Sequence, residues 1–252
     1  MKEAIKNSLE RLQMDYVDVY YAHGYDGNTP ILEICQAFHD VIEDGHAFYW
    51  ATSNWDCDQV FQAFQVCEKY NLHKPVLAQN HYNMLARNEM EGDYWKLFEK
   101  YNYGLAAFSV LEGGLLTGKY LKTEEVPEGS RLSKNPKGLG RDTPEYVQKM
   151  HVSNYDAEDV KKKLAELQVL SEKELNCSLA QLAIAWVLKF KYTSTAVLGA
   201  RNIGQLESNI KSMEVVPKLT EEVEARINKI LNNPPEARID HKTFIARKGL
   251  RP

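Results

Sequence analysis

The sequence has no apolar run approaching the roughly 20 residues needed to span a bilayer, so it offers no segment for direct membrane insertion. It has no basic excess either. A formal net charge of −4 excludes the clustered positive surface that a nucleic-acid-binding protein presents. Cysteine is sparse, with Cys35, Cys57, Cys67 and Cys177 scattered at no metal-ligand or redox spacing. They read as free thiols in a reducing, cytoplasmic setting. The opening Met1-Lys2-Glu3-Ala4-Ile5-Lys6 lacks the apolar core of a signal peptide and reads instead as the start of an amphipathic helix. No internal repeat and no low-complexity tract is present. What remains is an ordinary globular composition, 44% apolar and 26% charged, enough to bury a real core.

Helical and strand periodicities alternate along the chain. Ile5, Leu9 and Leu12 share one helical face, and Tyr16–Ala22 follows as a strand rich in β-branched and aromatic residues. Ile31, Ile34, Phe38, Val41 and Ile42 mark a second helix, closed by Gly45 before a strand over Ala47–Thr52. A helix with Val60, Phe61, Phe64 and Cys67 precedes a short strand over Val76–Gln79, and one from about Gly92 to Tyr101 precedes a strand over Leu105–Ser109. Leu116 to about Asp156 is long, polar and broken by Pro127, Pro136 and Pro144, as functional or mobile loops are. Helices over about Ala157–Leu175 and Leu179–Phe190 lead to a strand over Thr195–Leu198, then helices over Ile203–Met213 and Thr220–Leu231. Strands each followed by a helix imply an α/β fold with parallel pairing. Periodicity fits both an open doubly wound sheet and part of a barrel. The segment after Pro234-Pro235 has little apolar periodicity, giving a division into residues 1–233 and a tail, 234–252.

Polar groups gather where the strands end, the edge at which parallel-sheet enzymes place their chemistry. His23 ends the first strand, Thr52-Ser53-Asn54-Trp55 the second and Gln79-Asn80 the third, with His81-Tyr82-Asn83 beyond it. The fourth runs into Ser109-Val110-Leu111-Glu112-Gly113-Gly114, with Lys119 close behind: glycine-rich backbone plus a cation, suited to a pyrophosphate. The fifth ends in Gly199-Ala200-Arg201-Asn202 at a helix start, a second place for an anion.

These segments carry a resemblance. Ser8–Val19, Ala47–Trp55, Thr117-Gly118-Lys119-Tyr120, Leu182–Trp186 and Gly199–Asn209 are similar to aldo-keto reductases, and to their potassium-channel β-subunit branch in particular. The resemblance implies an incomplete TIM-type (β/α)8 barrel of about five βα units, its front units lying before this chain begins. It implies NADPH as cofactor. Ser53, Asn54 and Gln79 would hold the nicotinamide carboxamide, and Phe108 would support the ring. Ser109, Leu111, Gly113 and Lys119 would line the pyrophosphate, with Arg131 closing over it. Gly199, Arg201, Gln205 and Asn209 would hold the adenosine 2′-phosphate end. The family's chemistry uses an Asp, a Tyr, a Lys and a His, of which only the His has a counterpart here, His23; no Asp-Thr-Ala-x-x-Tyr-Gly-like stretch occurs. Carbonyl reduction by this chain alone is therefore expected to be weak or nil, and the alternative is a non-catalytic subunit of a larger assembly. Val110 stands where the family has Pro, Ser208 where it has Glu, and Glu112 would set a carboxylate beside the pyrophosphate unless it turns outward. An open barrel exposes strand edges, which predicts a homo-oligomer or a protein partner over the edge, a membrane channel being the partner the resemblance implies.

Overall fold

In the computed structural model, which describes residues 1–121 and 157–235, five strands form one parallel sheet in chain order, β1-β2-β3-β4-β5. Helix α1 (Lys2–Leu12) leads into β1 (Val17–His23). Then come α2 (Ile31–Glu43), β2 (Ala47–Ser53), α3 (Cys57–Tyr70), β3 (Leu77–His81), α4 (Trp95–Tyr101) and β4 (Gly104–Phe108). After α5 (Ala157–Lys173) and α6 (Leu179–Lys189), β5 (Thr193–Ala196) precedes α7 (Ile203–Ile210) and α8 (Glu221–Leu231). An α/β sheet whose strands pair parallel in sequence order is what one arc of a TIM-type barrel contains, so the arrangement is consistent with a partial barrel.

Local chemistry sets the boundaries. Asp56 and Gln59 form a reciprocal capping box at the start of α3, as Ser178 and Gln181 do for α6. Gln13, Asn71, Asn102 and Asn232 close their helices in the left-handed region. The helix expected from about Gly92 is two elements. A wide π-type turn, Asn88–Asp93, comes first, with Arg87 forked onto Glu91 through its Nε and Nη2 at 2.8 Å each, and α4 starts at Trp95.

One face of the sheet is dry. Phe38 of α2 stacks on Trp50 of β2 at 4.8 Å, and both are buried with Val60, Phe64, Leu105 and Ala107. Helix α6 is apolar almost all round, and Leu182, Ile184, Trp186 and Val187 are buried; each large side chain removed from water contributes roughly 1.5–3 kcal/mol. α1 sets Ile5 and Leu9 against Val41 of α2 and Ala47 of β2 in a separate cluster.

The sheet's two outer strands, β1 and β5, have no further neighbour among the described residues. Apolar surface lies bare nearby. Tyr16, Phe48 and Tyr49 are 45%, 59% and 54% exposed, and α7 buries no residue, with Ile203, Leu206, Ile210 and Met213 in water.

Candidate functional site

Register, rather than sequence proximity, builds the site. His23 pairs with Ser53 across β1 and β2, and Ser53 pairs with Gln79 across β2 and β3. The three end-of-strand residues thus stand in one row, with about 4.8 Å between adjacent strands. Tyr20 packs on Phe38 of α2, so by alternation Tyr21 and His23 belong to the opposite, open face of the sheet. Tyr21 is half-buried there, and that burial raises its phenol pKa.

Around this row the short polar side chains are tied together. Ser53 is buried; its hydroxyl donates to the Gln79 carbonyl at 2.9 Å and accepts from the Asn54 amide at 3.2 Å. Asn54 takes a left-handed backbone, φ 57°, and its N–H donates to Asn80 Oδ1 at 3.0 Å. Asn80 in turn donates to the Trp55 carbonyl at 3.1 Å. The structure therefore brings Ser53, Asn54 and Gln79 together, while His23 stands exposed at the end of the edge strand. A cleft of about 430 Å³ opens beside them, lined in part by Tyr25, Asn54, Trp55, Asn80, His81 and Glu89. The buried indole nitrogen of Trp55, one of its lining residues, has no hydrogen-bond partner.

One step further along the strands, His81 pairs with Phe108 in register, and their rings stack 5.6 Å apart. The backbone then twists sharply: Ser109, Glu112, Gly113 and Gly114 all have positive φ, at 53°, 44°, 60° and 98°. Glu112 turns inward, not outward as relief of a like-charge contact with a pyrophosphate would require. Its carboxylate is wholly buried, 2.7 Å from His81 Nε2, and it accepts a hydrogen bond from the Asn83 amide. Asn83 also donates to the Ser109 carbonyl at 3.0 Å, so the glycine loop is tied from beneath to the end of β3. Above it, Lys119 folds back over Gly114. A Cβ on that glycine would stand 2.6 Å from the ammonium nitrogen, so only glycine lets the cation approach so closely. Tyr120 donates to the Gly113 carbonyl at 3.3 Å. Lys119 is exposed, Leu111 half-buried and Gly113 buried.

The third part adjoins β4, since the Val197 N–H donates to the Ala107 carbonyl at 2.8 Å. From there Gly199 and Arg201 lead to α7, whose N-cap Asn202 accepts from the Gln205 N–H at 2.9 Å. The Gln205 side-chain oxygen accepts from the Arg201 N–H at 2.8 Å, leaving its amide as a donor. Gly199, Arg201 and Gln205 are exposed, and Asn209 is half-buried. Arg131 lies outside the described residues.

Sequence reasoning left Tyr21 out and gave His81 and Asn83, though named at the end of the third strand, no role in the site. Strand alternation puts His81 on the face of Gln79 and is the one signal that could have found it. Asn83's tether spans two strand ends and leaves no local trace.

Residues 1–232 match the family model described as the aldo/keto reductase family. The chain is 39% identical over 235 residues to the "Putative voltage-gated potassium channel subunit beta" of Schizosaccharomyces pombe, which covers 92% of this chain and 64% of that one. It is 36% identical to the "Probable voltage-gated potassium channel subunit beta" of Oryza sativa subsp. japonica and 37% identical to that of Arabidopsis thaliana. Each of these alignments takes in 93% of this chain and 67% of the relative. The chain thus spans about two thirds of the length of the curated relatives it matches.

Proposed function

The chain belongs to the aldo/keto reductase family, and from that premise we propose that it is a potassium-channel-β-subunit-like protein holding NADPH across the C-terminal ends of its strands. In this reading Ser53, Asn54 and Gln79 hold the nicotinamide carboxamide, and Phe108, backed by the His81 ring, supports the nicotinamide. Ser109, Leu111, Gly113 and Lys119 hold the pyrophosphate, joined by Arg131. Gly199, Arg201, Gln205 and Asn209 hold the adenosine 2′-phosphate end.

The observation that carries the reading is the paired placement at the glycine loop. Lys119 lies over Gly114, while the one carboxylate of the segment, Glu112, is buried and hydrogen-bonded to His81 and Asn83. Glu112 is engaged by His81 and Asn83, and in this reading the Lys119 ammonium and the loop's backbone N–H groups offset its charge, so that the residues present fit a diphosphate. A bound nicotinamide cofactor supplies hydride-transfer chemistry. His23, at the head of the polar row, is placed to orient a carbonyl. A proton donor is what the row lacks. Tyr21 is the tyrosine on the same face of β1 as His23, and burial raises its pKa, the opposite of what a general acid near neutrality needs. Carbonyl reduction by this chain alone is accordingly weak or nil.

A second role rests on the bare apolar surface. Tyr16 before the outer strand β1, Phe48 and Tyr49 of the adjoining β2, and the apolar side of α7, which follows the outer strand β5, are exposed. Surfaces of this kind are covered by protein in working assemblies. Further βα units or a partner would cover them, and the relatives' names make a potassium channel the partner to test. No helix among the described residues is long and apolar enough to cross a membrane, so the contact is proposed as peripheral, from the cytoplasmic side.

Fluorescence titration tests the cofactor assignment. NADPH should bind more tightly than NADH, because Arg201 favours the extra charge of the 2′-phosphate. Arg201→Ala should remove that preference while leaving NADH affinity nearly unchanged. Equal affinity for the two in the parent chain would count against the reading.

A further inference from the structure

At the opposite end of the sheet, where α2 runs toward β2 and α3 toward β3, two imidazoles and a carboxylate converge outside any role in the proposed function. His39 and Glu43 are four residues apart on α2, hence on one helical face. His73 comes from the loop between α3 and β3. One ligand atom from each lies within 4.8 Å of the others. We propose that His39, Glu43 and His73 form a binding site for a borderline divalent transition-metal ion, Zn²⁺ in the first instance, which clamps α2 to the loop before β3.

The donor set selects the metal. Two imidazoles and one carboxylate make a Zn²⁺, Co²⁺ or Cu²⁺ set, whereas Mg²⁺ and Ca²⁺ prefer oxygen ligands alone. Geometry is close to what binding requires. Ligand bonds of about 2.0–2.1 Å in a tetrahedral set leave donor atoms roughly 3.3 Å apart. His73 Nε2 and Glu43 Oε1 are already 2.8 Å apart, and the two imidazole rings lie 4.9 Å apart, tilted by 34°. An ion replaces the hydrogen bond between His73 and Glu43 and pushes that pair slightly apart. The remaining closure needs only rotation of side chains, of which Glu43 and His73 are exposed and His39 is half-buried.

The loop is held ready for this. The His73 carbonyl accepts from the Trp50 indole at 2.7 Å and from the Cys67 thiol at 3.3 Å, both buried groups of the core. Its N–H reaches His39 Nδ1 at 3.3 Å, a long bond that an ion at Nδ1 would displace at little loss. Glu43 is the last residue of α2, and the negative end of the helix dipole adds to the attraction for a cation. Three protein ligands leave at least one position for water.

Titration of tag-free chain with ZnCl₂ in a non-chelating buffer, followed by calorimetry, tests the site. One ion per chain should bind tighter than about 10 μM, with MgCl₂ producing no comparable signal. His39→Ala and His73→Ala should each weaken binding by about tenfold or more. Glu43→Gln alters a side chain that is 60% exposed and so keeps the test alive if either histidine variant fails to fold. It too should weaken binding. Zn²⁺ affinity poorer than that threshold overturns the proposal, as does affinity that survives in every folded variant.

Discussion

Replacing Glu112 by Ala probes the device on which the glycine loop depends. The carboxylate is fully buried and serves both His81 and Asn83. Leaving a buried hydrogen-bonding group without its partner costs about 1–3 kcal/mol, more where a charge is involved. Here both Asn83 and His81 lose their partner, but the His81 side chain is 25% exposed and can recover water, so we take about 2–3 kcal/mol. The positive φ at position 112 does not enter, because Glu and Ala both bear that strain. In a domain of this size each kcal/mol shifts Tm by about 2–4 °C, giving a fall of roughly 5–10 °C. Glu112→Gln retains an acceptor for Asn83 and a group facing His81, and should lose less than half as much. Loosening of the Ser109 tether should also weaken NADPH binding in the Ala variant. Thermal melts of parent, Gln and Ala variants at one protein concentration decide it. An Ala variant melting within about 2 °C of the parent, or a Gln variant as damaged as Ala, would refute the reasoning.

Three further outcomes are expected. With NADPH and a reactive aldehyde such as 4-nitrobenzaldehyde, the chain alone should show only trace turnover, since a missing general acid costs typically 10²–10⁴-fold; turnover near that of a complete reductase, lost in His23→Ala, would contradict this. Light scattering should reveal association at micromolar concentration through the open strands and the bare side of α7, with a concentration-dependent melt; a clean monomer with a sharp, concentration-independent melt would argue otherwise. Burial, then Asp58, pushes the Cys57 thiol up to about 11, so its alkylation should keep accelerating as pH rises past 9. At pH 8 the thiolate fraction should be on the order of a hundredfold below that of an ordinary thiol, and a plateau near pH 9 would be the contrary result.

The five βα units were legible because each strand is apolar or β-branched and each helix carries an apolar face, signals that are local and periodic. Boundaries were less so. β3 continues to His81 because that residue pairs with Phe108, a partner the sequence cannot show. β5 is Thr193–Ala196, not Thr195–Leu198. Its ladder to β4 runs from Leu105 to Ala107, while Val197 and Leu198 are apolar but exposed, which mimics a strand in the sequence. In the candidate site, the polar residues at the strand ends could be read directly, since parallel topology places such residues along one edge. Their mutual order could not. The row of His23, Ser53 and Gln79 follows from register, and the place of Tyr21 on the same face from alternation. The direction of Glu112 depends on His81 and Asn83, about thirty residues away in the chain, and no local pattern encodes it.

Amide hydrogen exchange with and without saturating NADPH tests the central claim most directly, because it reports where the ligand sits as well as whether it binds. The account predicts slowed exchange confined to the strand ends: around Ser53-Asn54, through the Ser109–Lys119 loop and over Gly199–Gln205. The far end of the sheet, around His39 and His73, should be unchanged. Protection absent from the Ser109–Lys119 loop, or no protection anywhere at millimolar NADPH, would contradict it.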